Sequence, residues 1–276
     1  MPQVPERRPI SFKQFVELIE SLQSPTRRPL WYRGCGWSSH QLLPTLYRHP
    51  TKKSIEDIAT LERELMMRFR QRSIPLLNRE LKDDWDTLFF MQHYGIPTRL
   101  LDWTENPFIG FYFGVMSAPF TTRRRSRRGQ KLLHFQQDAT VWVLDPIAWN
   151  SHALKHQKFD RGVLIPVDEA LHGYKPLTKF ADMNKHPVAL YGAHNSPRIV
   201  AQRGVFTIFG QGTGPMEKIY SSDSFPEGCL VKVILSRFRL PQMRRSILSH
   251  GITEGVVFPD LDGLAREIKR DFGFED

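Results

Sequence analysis

The chain has 276 residues, of which 40% are hydrophobic and 25% charged, a composition that buries a core and excludes a disordered or fibrous class. No apolar run approaches the roughly 20 residues that cross a bilayer, and the opening residues lack the apolar stretch of a secretory signal, so a cytoplasmic protein without membrane contact is expected. The formal net charge is +10, and the two cysteines, Cys35 and Cys229, form no Cys-x-x-Cys pair, which argues against a disulfide framework or a zinc site.

Phe12, Phe15, Val16, Ile19 and Leu22 recur at helical spacing and predict a first amphipathic helix, capped by Ser11 and broken by the prolines at 25 and 29. Leu30-Trp31-Tyr32-Arg33-Gly34 reads as a short strand. A second helix is predicted over 55–71, where Ile58, Leu61, Leu65, Met66 and Phe69 can share one face. A third covers 85–93 and is closed by Gly95 and Pro97. A fourth covers 105–116, almost wholly apolar and therefore buried, with Pro107 in its first turn. Residues 120–138 read as a basic loop. Strands are predicted over 139–144, 163–167, 198–207, 229–235 and 256–258, and closing helices over 243–250 and 261–272. Helices lead and strands follow, which points to the α+β class: one domain with a mixed β-sheet and N-terminal helices packed over it. Residues 1–30 would form an N-terminal helical segment and 31–276 the α/β body.

The positive excess is concentrated. Arg123, Arg124, Arg125, Arg127, Arg128 and Lys131 fall within one short stretch. Such a block is commonly a solvated loop; the sharper reading is a contact with nucleic acid or an acidic partner through the five arginines.

The densest polar set lies in an apolar context: Gln92, His93, Tyr94, Thr98, Arg99, Asp102, Trp103, Thr104 and Asn106. A core segment carries Arg, Asp and His together only when they are paired, because unpaired burial costs several kcal/mol. A polar network lining a cleft is therefore expected, with Arg99 and Asp102 as a charge-assisted pair, Arg33 as either a ligand clamp or a buried partner for Asp102, and Asn106 or Thr104 capping the fourth helix. Gly34, Gly95 and Gly204 read as positions of special backbone geometry.

Trp31-Tyr32-Arg33-Gly34 is similar to the F/YRG signature of the FRG domain family, and Gln92-His93-Tyr94-Gly95-Ile96-Pro97-Thr98-Arg99-Leu100-Leu101-Asp102-Trp103-Thr104 resembles its central motif. That motif continues through Asn106-Pro107 to Phe111-Tyr112-Phe113-Gly114. A third block, Pro197-Arg198-Ile199-Val200-Ala201-Gln202-Arg203-Gly204, carries Arg203 where the family more often has Gln, and Phe258-Pro259-Asp260-Leu261-Asp262-Gly263 fits the family's ending. The family recurs in bacterial and phage proteins of mobile-element or conflict context, so the resemblance implies a toxin-like or phage-defence role.

A more distant resemblance, in layout alone, is to ADP-ribosyltransferases, which use NAD. It implies Arg33, His93, Asp102 and Gln202 as catalytic residues, with Tyr32, Arg33, Gly34, Tyr94, Thr98, Arg99, Trp103, Thr104 and Asn106 around the NAD. A cation would grip the diphosphate, rings would stack on the base, and an acid would stabilise the oxocarbenium-like state. The late-strand position holds Gln202 and not Glu, and Glu62-Arg63-Glu64 falls on the second helix, facing solvent in part. The acid would then be Asp102, Glu254, Asp260 or Asp262. Two other readings stay open: a nucleic-acid or nucleotide binding module without catalysis, and a hydrolase using His93 and Asp102. For the latter, Asp260 and Asp262 would either hold a divalent cation or form a turn and helix cap. No His or Cys spacing indicates a metal. Arg33, His93, Arg99, Asp102 and Gln202 can also be read as a purely structural network.

Overall fold

The computed structural model describes residues 3–23, 28–77, 79–124, 131–159, 162–193 and 196–274. In chain order these form β1 (Glu6–Arg7), α1 (Phe12–Gln23), β2 (Trp31–Cys35), α2 (Ile55–Ser73), α3 (Asp84–His93), β3 (Leu100–Thr104) and α4 (Pro107–Met116). There follow β4 (Phe120–Arg124), β5 (Lys131–Phe135), β6 (Ala139–Leu144), α5 (Pro146–Ala153), β7 (Val188–Leu190), α6 (Pro197–Gln202) and β8 (Gly204–Ile208). The chain closes with α7 (Met216–Ser222), β9 (Leu230–Leu235), α8 (Leu240–Ser249), α9 (Glu254–Val257) and α10 (Leu261–Asp271).

Seven strands make one sheet in the order β1-β9-β6-β2-β3-β8-β7; it is mixed because β1 runs parallel to β9 while the other neighbours are antiparallel. The period of two along each strand sorts side chains to opposite faces. Val141, Val143, Val231, Val233 and Leu235 pack against α1, α4 and α8, whereas Trp31, Trp142, Leu144 and Leu230 share a second core with residues of α2, α3, α5 and α7. The class is α+β, with helices on both faces of a mixed sheet.

The sheet is nearly divided. β2 pairs with β6 over five residues and β3 pairs with β8 over five, yet β2 and β3 share only the pair Tyr32–Thr104. Beyond that pair the Arg33 side chain does the work of a ladder, donating from Nη1 to the Asp102 carbonyl at 2.5 Å. On the opposite face of β2, Gly34 lies directly against α4: a Cβ there would sit 2.0 Å from the Gly110 carbonyl oxygen and 2.2 Å from the Gly114 nitrogen. Arg and Gly are thus adjacent in sequence because strand alternation sends one towards β3 and sets the other beneath a helix backbone.

Four sequence expectations are corrected. The predicted strand 198–207 begins as the helix α6: Ser196 caps it by accepting from the Ile199 N–H, Pro197 opens it, and Arg203 ends it at φ 45 before β8 starts. Gln202 therefore sits on a helix, not on a strand. Residues 256–258 are not a strand either, since Val256 and Val257 belong to α9, and 163–167 contributes only an isolated bridge from Leu164 to Leu190. The basic loop is in part a hairpin, β4 pairing with β5 from Phe120–Phe135 to Arg124–Lys131; Arg125, Arg127 and Arg128 lie outside the described residues.

Arg99 does not pair with Asp102. It is fully buried, donating from Nε to Glu62 at 2.8 Å, from Nη1 to the Phe209 carbonyl at 2.9 Å, and from Nη2 to the carbonyls of Tyr174 and Lys175. Glu62, expected to face solvent in part, is buried for this reason. The pair ties α2 to the start of β3 and to the far end of β8.

Candidate functional site

Where β2 and β3 part, their side chains line a cavity of about 680 Å³. Tyr32, Arg33 and Gly34 come from β2, Asp102, Trp103 and Thr104 from β3, and Gly204 and Phe206 from β8. The C-terminal end of α3 adds Gln92 and His93 with Tyr94 and Gly95 behind them, α4 adds Phe113 and its C-cap Ser117, and α6 adds Arg198, Ile199 and Gln202. All four residues expected to be catalytic, Arg33, His93, Asp102 and Gln202, are on this lining, as are Tyr32, Gly34, Tyr94, Trp103 and Thr104. Thr98, Arg99 and Asn106 are not. Asn106 caps α4, accepting from the Phe108 N–H at 2.9 Å.

Asp102 is the most exposed polar group of the pair it makes with Arg33: its side chain is 57% exposed against 22% for the arginine, with Nη1 and Oδ2 3.7 Å apart. Gln92 Nε2 donates to both carboxylate oxygens at 2.9 Å. The direction of that amide is fixed one step further back. The Leu100 N–H donates to Thr98 Oγ1 at 3.0 Å, and the Thr98 hydroxyl in turn donates to Gln92 Oε1. With Oε1 turned to the Thr98 hydroxyl, Gln92 presents its NH₂ to Asp102, and the carboxylate is oriented by donors and faces the cavity.

Thr98→Val should break this relay while keeping the shape of the site. The Leu100 N–H and Gln92 Oε1 would both lose a partner, at a cost of about 1–3 kcal/mol. Thr98→Ser, which keeps the hydroxyl, should stay within about 1 kcal/mol of wild type in urea denaturation. A larger loss for Thr98→Ser than for Thr98→Val would show that the methyl group and not the hydroxyl is what matters.

Positive charge gathers around the cavity. Burial first, and the charge of Arg198 second, hold the His93 imidazole below its ordinary value, so it is neutral at pH 7. His93 Nδ1 lies 3.4 Å from Ser196 Oγ, and its ring meets Tyr94 edge-on. Nearby, His40 is depressed by burial and by the charges of Arg48 and Arg33, and Arg48 is depressed by burial and by Arg33. The Arg33 Nε is buried without a hydrogen-bond partner among the described residues. Like charges and an idle donor at one wall are what an anion would relieve.

Of the four carboxylates considered as the site's acid, only Asp102 lines the cavity. Glu254 is buried against Arg270 at 3.2 Å. Asp260 caps α10 by accepting from the Gly263 N–H, and Asp262 lies in that helix's first turn. No group of three or more His, Cys, Asp or Glu side chains able to hold a metal ion occurs among the described residues. Gln202 donates from Nε2 to the Val257 carbonyl at 3.0 Å, and its own carbonyl accepts from the Thr104 hydroxyl at 2.6 Å, so it braces α6 against α9 and β3. Sequence reasoning did not single out Phe206, Ser117 or Arg198 for the site. Arg198 was legible in principle as a cation two residues after a helix cap, whereas Ser117 and Phe206 reach the cavity only through the tertiary fold.

No described helix is long and apolar enough to cross a membrane. No curated protein and no solved structure matches the chain. A family model described as the FRG domain matches residues 28–122, a span that runs from just before β2 through α4 and so includes Arg33, Gln92, His93, Asp102, Trp103 and Ser117 of the cavity, but not its α6 and β8 wall. Residues 28–122 therefore match the FRG domain, and one side of the cavity is built from them.

Proposed function

We propose that the cavity is a nucleotide site and that the protein is an NAD-consuming enzyme of the ADP-ribosyltransferase type. The observation that supports this most is the divided sheet: Arg33 and Asp102, from strands that part after one pair, face a cavity that also holds His93, Arg198 and several rings. Arg33 and Arg198 suit the two phosphates of NAD, the arginine fork matching phosphate oxygens bidentately. Trp103, Phe206 and Tyr94 offer aromatic faces and edges for the flat rings.

In the reaction, the bond from the ribose C1′ to nicotinamide breaks and nicotinamide leaves with the bonding pair. Asp102, oriented by Gln92, stands against the positive charge that develops on the sugar. The acceptor's oxygen or nitrogen bonds to C1′, and its proton passes to His93, which is neutral and able to take it. The family resemblance extends the proposal to a toxin or phage-defence role, in which the acceptor belongs to the host or the phage.

NAD at about 100 times its Kd should stabilise the wild type by about 2.7 kcal/mol in a thermal scan, and Arg33→Ala should abolish the shift. Asp102→Asn should still bind NAD but release nicotinamide about 10²–10³-fold more slowly. Because the folded pKa of His93 lies below its ordinary value, the rate should hold from neutral pH down past that ordinary value. It should fall only as the pH drops through the depressed one. Wild-type protein that neither binds NAD nor, with NAD and cell lysate, modifies anything would end this reading.

A second reading keeps a separate support. The hairpin of β4 and β5, which bears Arg123, Arg124 and Lys131, leaves the chain three residues after Ser117 on the cavity lining. As a nucleic-acid module the protein would lose binding when the five arginines at 123–128 are neutralised, and its affinity would fall steeply with salt. NAD turnover would be unaffected by those changes.

A further inference from the structure

α10 packs the wrong way round for an amphipathic helix. Leu261, Leu264, Ile268 and Phe272 recur at helical spacing and define one apolar stripe, yet each is between 48% and 82% exposed, as is Phe274 beyond the helix end. α1 carries the same pattern and buries it: Phe12, Phe15 and Ile19 are all in the core. In α10 the polar face turns inward. Arg270 meets Glu254 with both side chains largely covered, Glu267 accepts from the Gly255 N–H at 2.7 Å, and Gly263 lies against the Phe258 backbone.

The end of the helix is equally settled. The Gly273 N–H donates to the Arg270 carbonyl, and the Phe274 N–H donates to the Lys269 carbonyl at 2.7 Å, with Gly273 at φ 77. This is a Schellman turn, which fixes Phe274 beside the stripe instead of letting the chain fray. The apolar face is thus held in place by a cap, a buried ion pair and a C-terminal turn, none of which shields it.

We infer that the exposed stripe of α10 is a dimer interface, occupied by the same stripe of a second copy of this chain. Five side chains of this size at these exposures offer on the order of 600 Å² of apolar surface per copy, and two copies reach the lower end of specific protein interfaces. The local charge permits the approach although the whole chain carries +10. Asp260, Asp262, Glu267 and Asp271 offset Arg266, Lys269 and Arg270 along the helix, so the excess charge that would repel a second copy lies elsewhere. A two-fold pairing of identical patches closes on itself and leaves no stripe open. The interface would also stand behind the cavity wall, because the Phe258 ring lies between Arg266 of α10 at 4.2 Å and Arg198 of α6 at 4.6 Å.

Sedimentation equilibrium on the whole chain at physiological ionic strength tests the pairing independently of any activity. The wild type is expected to form dimers with a Kd in the micromolar range, as suits an interface of this size. Leu261→Glu with Phe272→Glu should weaken association at least a hundredfold and leave the melting temperature unchanged when it is measured well below the dimer Kd. If that pair perturbs folding, Leu264→Lys with Ile268→Lys provides the same readout. Met67→Glu, an exposed apolar residue on α2, should leave the dimer intact. A wild type that stays monomeric up to about 100 µM, or a dimer indifferent to every α10 change, would overturn the inference and leave the stripe to a different partner.

Discussion

Gly34→Ala is expected to unfold the protein or leave it barely folded. The new methyl carbon would fall 2.0 Å from the Gly110 carbonyl oxygen, 2.2 Å from the Gly114 nitrogen and 2.8 Å from the Phe113 carbonyl carbon. All three are backbone atoms of one helix, so no rotamer change relieves the contact; α4 must move off β2. Ordinary overpacking costs about 1–3 kcal/mol when side chains can give way. Here the whole helix would have to give, and a loss above about 4 kcal/mol is expected from a total stability of about 5–15 kcal/mol. Gly95→Ala is the control. Gly95 has φ 74 and nothing within 4 Å of its added Cβ, so only the left-handed backbone resists, at about 1–2 kcal/mol. Urea denaturation of the two variants should separate them clearly. A mild effect at Gly34 would mean that α4 does not lie against β2 as described.

The second large effect is expected at the buried pair of Arg99 and Glu62. Glu62→Leu leaves a guanidinium in the interior without a counter-charge, and Arg99→Met leaves a carboxylate there; each should cost about 3–5 kcal/mol. The double variant Glu62→Leu with Arg99→Met should cost less than the two single losses together, because no charge remains unpaired. It should still fall short of wild type, since the carbonyls of Phe209, Tyr174 and Lys175 lose the donors that Arg99 supplied. A double-mutant cycle followed by denaturant unfolding measures the coupling. Additive losses would show that the two charges do not depend on each other.

Much of the architecture was legible because its signals are local. Helical periodicity and caps located α1, α2, α3 and α4 within a few residues, and alternation located β6 and β9. α6 was misread because Ile199 and Val200 are β-branched, while the stronger cues, Ser196 as cap and Pro197 at the first turn, lay just outside the apolar run. β3 was hidden inside a polar motif whose strand character rests on burial of Leu100, Leu101, Trp103 and Thr104 from both sides. At the site, the motif around 92–104 announced a network but not its wiring. Arg99 is three residues from Asp102 and pairs with Glu62 thirty-seven residues upstream, whereas Asp102 is met by Arg33 from another strand. Sequence proximity favours the local pair; the fold chose the remote ones, because successive strand residues point to opposite sides.

The single shared pair between β2 and β3 makes the sheet two hydrogen-bonded plates instead of one. Each plate is zipped along its own ladders, and between β2 and β3 themselves one backbone pair and the Arg33 side chain make the join, while α4 and α5 span the two plates on either face. Opening of the seam therefore need not melt either plate, so the two can breathe as separate cooperative units whose amides exchange with solvent on their own schedules. A ligand gripped by Arg33 on one side and faced by Asp102 on the other would act as a rivet across that seam. Its binding energy would be spent in part on turning two units into one.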